Sequence, residues 1–151
     1  MRTHKGITLI ETVIVFCIIG IVAAIAIPQF RKMATNGNLR AAARDIVGDF
    51  SYMRERALSE NTGLSISFDT THSAYTVPFP GGKVKTPGYF SSDINITGVT
   101  FPGGGTTLTF TTRGTISPPG MNTITLANGL GSTATITVLT AGRIYVQYAL
   151  Q

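Results

Sequence analysis

Glu11 is the one charged side chain in residues 7–27, which read ITLIETVIVFCIIGIVAAIAI. As a helix those residues rise about 1.5 Å each, roughly 31 Å in all, which matches the hydrocarbon thickness of a bilayer. A carboxylate there costs on the order of 2.5–3.5 kcal/mol at the bilayer centre, less near its edge, and calls for a partner. Other reactive side chains are few. The histidines are His4 and His72, the second in a predicted hairpin turn. Asp69 and Asp93 also flank predicted turns, with no second ligand at metal spacing. Gly81-Gly82-Lys83 resembles a scrap of phosphate loop, but Val84 stands where Ser or Thr is needed and no glycine lies five residues before Gly82. Asn95-Ile96-Thr97 is a glycosylation sequon of the kind that occurs by chance. Cys17, the only cysteine, has no partner for an intramolecular disulfide and serves as a small apolar side chain in the run. Serine and threonine are plentiful, but no base is placed to activate one. We therefore expect a non-enzyme with no cofactor and no metal.

Three readings compete for the N-terminal segment. Arg2 and Lys5 make a positive flank, and Ala24-Ile25-Ala26 resembles a small-x-small cleavage site, as in a secretory signal peptide. The run is longer than an ordinary h-region, though, and it is charged near its start. A plain membrane anchor fits the length and the basic flank but gives Glu11 no partner.

The third reading rests on Lys5-Gly6-Ile7-Thr8-Leu9-Ile10-Glu11. This segment resembles the class III signal of type IV pilins and type II secretion pseudopilins. The resemblance implies cleavage by prepilin peptidase between Gly6 and Ile7, methylation of Ile7, and a role for Glu11 in assembly. Its implied partner is the ammonium on Ile7 of a neighbouring subunit. Pairing two costly buried charges makes the correct stagger the low-energy arrangement. Gly20 and Pro28 fall where the family often has glycine and proline. Pro28 cannot donate to the Ala24 carbonyl, so a kink is expected there. Ile7 departs from the Phe or Met commoner after the cut.

The elements beyond position the rest. Leu39, Ala43, Ile46, Phe50, Met53 and Ala57 recur at helical spacing and form one stripe, with Arg40, Arg44, Asp45, Arg54 and Glu55 set opposite as a solvated face. Thr35-Asn36-Gly37-Asn38 is a weak helical stretch where bending or fraying is expected. Asn61-Thr62-Gly63 closes the helix, with Gly63 at C′. After that the period becomes two, with strands at 64–68, 74–77, 94–101, 107–112, 122–127, 133–139 and 144–150 separated by Gly/Pro clusters. The expected fold is α+β: a long N-terminal helix packed on a small antiparallel head of about seven strands in two sheets. The expected divisions are 1–6, a cleaved leader; 7–28, the membrane and assembly helix; 29–62, the amphipathic helix; and 63–151, the head.

Arg113-Gly114, two further strands, and Gly142-Arg143-Ile144 opening a last strand make the head similar to GspH/FimT-type minor pilins and pseudopilins. The head lacks the C-terminal cysteine pair of many major pilins, which favours a minor subunit. The resemblance implies a structural subunit of a type IV pilus or a type II secretion pseudopilus. It would be anchored in the bacterial inner membrane, with its head in the periplasm and other pilin or pseudopilin subunits as partners. A major pilin is one alternative. A DNA receptor is another: the formal charge is +5, two of those positives lie in the leader, and no basic run occurs. Lys83, Lys85, Arg113 and Arg143 would have to converge to bind nucleic acid. The Gly-Arg-x-Arg element of DNA-capturing relatives reads Gly142-Arg143-Ile144-Tyr145 here, one arginine short.

Overall fold

The computed structural model describes residues 9–78 and 82–151. Gly6, Ile7 and His4 lie outside the described residues. Contacts divide the chain into two compact units, Met1–Ala34 and Thr35–Gln151.

Helix α1 runs Leu9–Ser59. In the first unit its apolar side chains stay exposed, Leu9, Phe16 and Phe30 among them. This stretch is long and apolar enough to cross a membrane. The second unit begins with the part of α1 that carries the stripe. Leu39, Ala43, Ile46, Phe50, Met53 and Ala57 are all buried, and Ala42 joins them.

Helical assignment continues through residues 35–38, which sequence propensity marks as weak. Tertiary bonds hold the site: Asn36 Oδ1 accepts from Asn128 Nδ2 at 3.1 Å, and Asn36 Nδ2 donates to the Gln151 carbonyl at 3.2 Å. At the other end the stop residue is Asn61 rather than Gly63. Asn61 has φ +49°, and the Thr62 N–H donates to the Ala57 carbonyl five residues back. That is the six-to-one bond of a Schellman cap with Asn at C′.

Two antiparallel sheets follow, with nine strands among the described residues where the sequence reading had seven. The first sheet has the order β3-β2-β1-β5-β6. Its strands are β1 (Leu64–Asp69), β2 (Ala74–Val77), β3 (Lys83–Lys85), β5 (Thr107–Phe110) and β6 (Ile116–Ser117). The second has the order β4-β7-β8-β9, from β4 (Asn95–Thr100), β7 (Met121–Ala127), β8 (Thr133–Leu139) and β9 (Ile144–Ala149). The two additional strands are β3 and β6, whose short length hides any period-two pattern.

Strict alternation in β7 and β8 sends Ile124, Leu126, Ala134, Ile136 and Val138 inward. They join the helix stripe and the inner residues of the first sheet in one core. Phe50 sits at its middle, edge-on to Phe68 with centroids 6.1 Å apart and 5.8 Å from Phe110. Aromatic pairs of this geometry add roughly 0.5–1.5 kcal/mol beyond area burial.

Candidate functional site

Glu11 lies exposed on the first unit's helix, next to Thr12 and a little over one turn before Val15 and Phe16. The four residues line a shallow depression of about 300 Å³. Gly20 and Pro28 are both helical, and the space where a Cβ on Gly20 would sit is open. An apolar surface this continuous is stable only when lipid or other protein covers it.

The head carries two charged clusters, one on each flank of the stripe. On one flank, Asp45 and Asp49 stand one helical turn apart and receive Lys85 from β3. Lys85 Nζ lies 2.8 Å from Asp45 Oδ2 and 2.7 Å from Asp49 Oδ2. The Tyr75 hydroxyl donates to the same carboxylates, at 2.9 Å to Asp49 and 3.2 Å to Asp45. Burial opposes the Lys85 charge, but hydrogen bonds and charge from the two aspartates outweigh it and raise the pKa of the ammonium. Burial, followed by the two aspartates, also holds the Tyr75 phenol far above its ordinary range. Lys85 is therefore engaged within the head.

On the other flank, Arg54 is half-buried and its Nε donates to the Gly114 carbonyl at 3.0 Å. Gly142 closes against both: a Cβ on it would meet Gly114 O at 2.4 Å and Arg54 Nε at 2.8 Å. Arg113-Gly114 and Gly142-Arg143 thus converge on one helix residue, which the sequence reading had assigned to a solvated face. The Arg143 guanidinium lies over the Tyr145 ring, 5.3 Å from its centroid. At about 100° per residue, Asp45 and Arg54 are half a turn apart around the helix. The four basic residues proposed from sequence accordingly form two separate groups: Lys83 and Lys85 on β3, and Arg113 and Arg143 on the Arg54 flank.

Two smaller sites are local. Asp69 accepts the N–H groups of Thr71 and His72, and its Oδ2 lies 2.5 Å from His72 Nδ1, which lowers its pKa. Asp93 accepts from the Ser91 hydroxyl and the Gly129 N–H, and its pKa is lowered as well. Both pairs organise turns. Among the described residues no cluster of three or more His, Cys, Asp or Glu is placed to hold a metal.

The profile of the family described as "Type II transport protein GspH" matches residues 42–142, from the helix stripe to Gly142. The chain belongs to the GspH family. The prokaryotic N-terminal methylation motif matches residues 1–27. Two crystal forms of the type IV minor pilin FimU from Pseudomonas aeruginosa share the fold of this GspH-family chain. They have TM-scores of 0.56 and 0.52, each at 20% identity, covering 76% and 72% of this chain and 92% of theirs. Two fimbrial proteins of P. aeruginosa are each 35% identical over 79 residues, 52% of this chain. The chain spans about half the length of these curated relatives. A GspH-family head behind an N-terminal methylation motif is the organisation of a pilin-type structural protein.

The Asp49 contact escaped the sequence reading, as did the bond from Arg54. Asp45 and Asp49 do have a visible signal: they are acidic residues four apart, bordering an apolar stripe. Their basic partner lies 40 and 36 residues away in sequence, and no local pattern links them.

Proposed function

We propose that this chain is a minor subunit of a type IV pilus or a type II secretion pseudopilus. In this reading prepilin peptidase removes residues 1–6, Ile7 becomes the methylated N-terminus, and residues 7–28 hold the subunit in the bacterial inner membrane with the head outside. Glu11 meets the Ile7 ammonium of a neighbour and sets the stagger of the helices. The observation that carries the reading is the methylation motif on an exposed apolar helix with a single carboxylate, joined to a GspH-family head. Apolar burial between helices and lipid supplies the attraction, and the charge pair supplies the register.

The test is the intact mass of the membrane-extracted protein together with its presence in sheared filaments. Loss of residues 1–6, with or without an added methyl, and a low-abundance band co-sedimenting with filaments are expected. A mature N-terminus near Ile27 would overturn the reading, and a band as abundant as the main filament protein would make the chain a major pilin.

A DNA-receptor role takes second place. It is supported by Arg113 and Arg143 on one flank with Tyr145 available for stacking. It is weakened because Lys85 is held by two aspartates on the opposite flank, which leaves a small charge for a site driven by phosphate neutralisation.

A further inference from the structure

The two sheets have four outer strands, and three carry features that discourage another strand from pairing. β3 is three residues long and bears Lys83 and Lys85. β6 has two residues and runs into Pro118-Pro119. β4 is broken by an irregularity in its register between Ile96 and Gly98. Short length, lysine, proline and bulges are the usual protections of a sheet edge. β9 has none of them. It pairs with β8 without interruption from Val138↔Ile144 to Thr133↔Ala149, and its sequence Ile-Tyr-Val-Gln-Tyr-Ala contains no charge, proline or glycine. Alternate residues of such a strand direct N–H and C=O groups away from the sheet, where no strand pairs with them among the described residues.

A groove of about 440 Å³ runs between the start of β9 and α1. Val47, Leu58, Ile144 and Tyr145 give it apolar walls, and Arg54, Arg143 and Glu55 stand on it. Arg113 is adjacent, through Gly114. None of the three arginines is in an ion pair among the described residues, so the open end of the strand is net positive.

We propose that β9 and this groove accept an extended segment of a different, neighbouring subunit as an added antiparallel strand. Antiparallel addition brings the C-terminal end of that segment beside Arg143, so the segment carries an acidic group there. Its main chain bonds the free edge of β9, and alternate apolar side chains enter the groove. The proposal rests on the assembly role given above and names a contact that this role does not require.

The test places a photo-crosslinking phenylalanine derivative in the full chain, in filament-assembling cells, at Tyr145, Gln147, Asn95 or Val15. Asn95 reports on the interrupted edge and Val15 on helix assembly. Adducts to another subunit are expected from Tyr145 and Gln147 but not from Asn95. A second substitution, Arg143→Glu, should reduce them about tenfold, while Arg143→Lys retains most of them. Val15 adducts should survive both changes, which shows that the chain still folds and assembles. Adducts from Val15 without any from β9 overturn strand addition and leave the assembly role standing. Adducts from neither overturn both. Nuclease-sensitive adducts at Tyr145 overturn the proposal in favour of nucleic acid, and adducts to a second copy of this chain overturn the choice of a different subunit.

Discussion

Arg54 and Gly114 are joined by a 3.0 Å hydrogen bond from Nε to the backbone carbonyl, and through it the helix is fastened to the turns that precede β6 and β9. A charged donor to a half-buried carbonyl is worth about 1.5–3 kcal/mol. Arg54→Ala should therefore lower the melting temperature of the head by several degrees, whereas exposed Arg44→Ala should change it little. Gly142→Ala should cost more than Gly105→Ala. Gly142 has φ +73° and a backbone oxygen at 2.4 Å from the position of the new methyl, and Gly105 has open space. Thermal denaturation monitored by circular dichroism measures both comparisons, and equal losses for Arg54 and Arg44 would refute the fastening.

Phe50 is fully buried against Phe68 and Phe110, two aromatic residues of the first sheet. Its truncation to Ala removes about 3–5 kcal/mol, a large share of the roughly 5–15 kcal/mol that holds a small domain. A fragment beginning at Thr35 should be soluble and mainly β with one helix. The same fragment with Phe50→Ala should be largely unfolded at growth temperature or melt far earlier. A melting temperature within about four degrees of the parent, equivalent to about 1 kcal/mol in a domain of this size, would mean that the helix is not docked.

The Lys85 cluster gives the head an alkaline limit. Lys85 has a raised pKa in the folded state, so its contribution is fully present below its unfolded value of 10.5 and is lost as pH rises through the folded value. Tyr75 acts in the same direction. Its phenol ionises from about pH 10 in the unfolded chain but stays protonated in the head, so rising pH favours unfolding. Denaturant midpoints should fall above pH 10 in the parent and fall less in a Lys85→Met, Tyr75→Phe double variant. Parallel curves for the two proteins would show that the cluster does not set the limit.

Glu11→Gln removes the charge while keeping the shape. We expect the peptidase to process this variant normally and its share in sheared filaments to drop at least severalfold. Quantitative immunoblotting of membranes and filaments provides the measurement, and equal incorporation would end the pairing argument.

Much of the fold is legible from period alone. The stripe from Leu39 to Ala57 repeats at helical spacing and is buried as read, and β7 and β8 alternate strictly. Ile116-Ser117 and Lys83-Val84-Lys85 are too short to show a period, so β6 and β3 emerge only from their pairing with β5 and β2. Asn61 takes the left-handed cap where composition favours Gly63, because asparagine tolerates that conformation and the chain must turn two residues earlier. The charged clusters were the least legible part. Arg54 and Asp45 look like solvated surface in the sequence, and only tertiary proximity to Gly114 and Lys85 shows otherwise.

The clasp of Asn36 on Gln151 and Asn128 sets the order in which this head can be completed. It links residues 115 and 92 positions apart, among the most distant contacts in the chain. Contacts of such long range form slowly, since loop closure must precede any gain from them. During synthesis the helix and the first sheet can pair while later residues are still being delivered, but the bond from Asn36 to the Gln151 carbonyl must wait for residue 151. Until residues 128 and then 151 arrive, the weak helical stretch at residues 35–38 lacks these two tertiary bonds. The start of the head is therefore secured only after all nine described strands have been made.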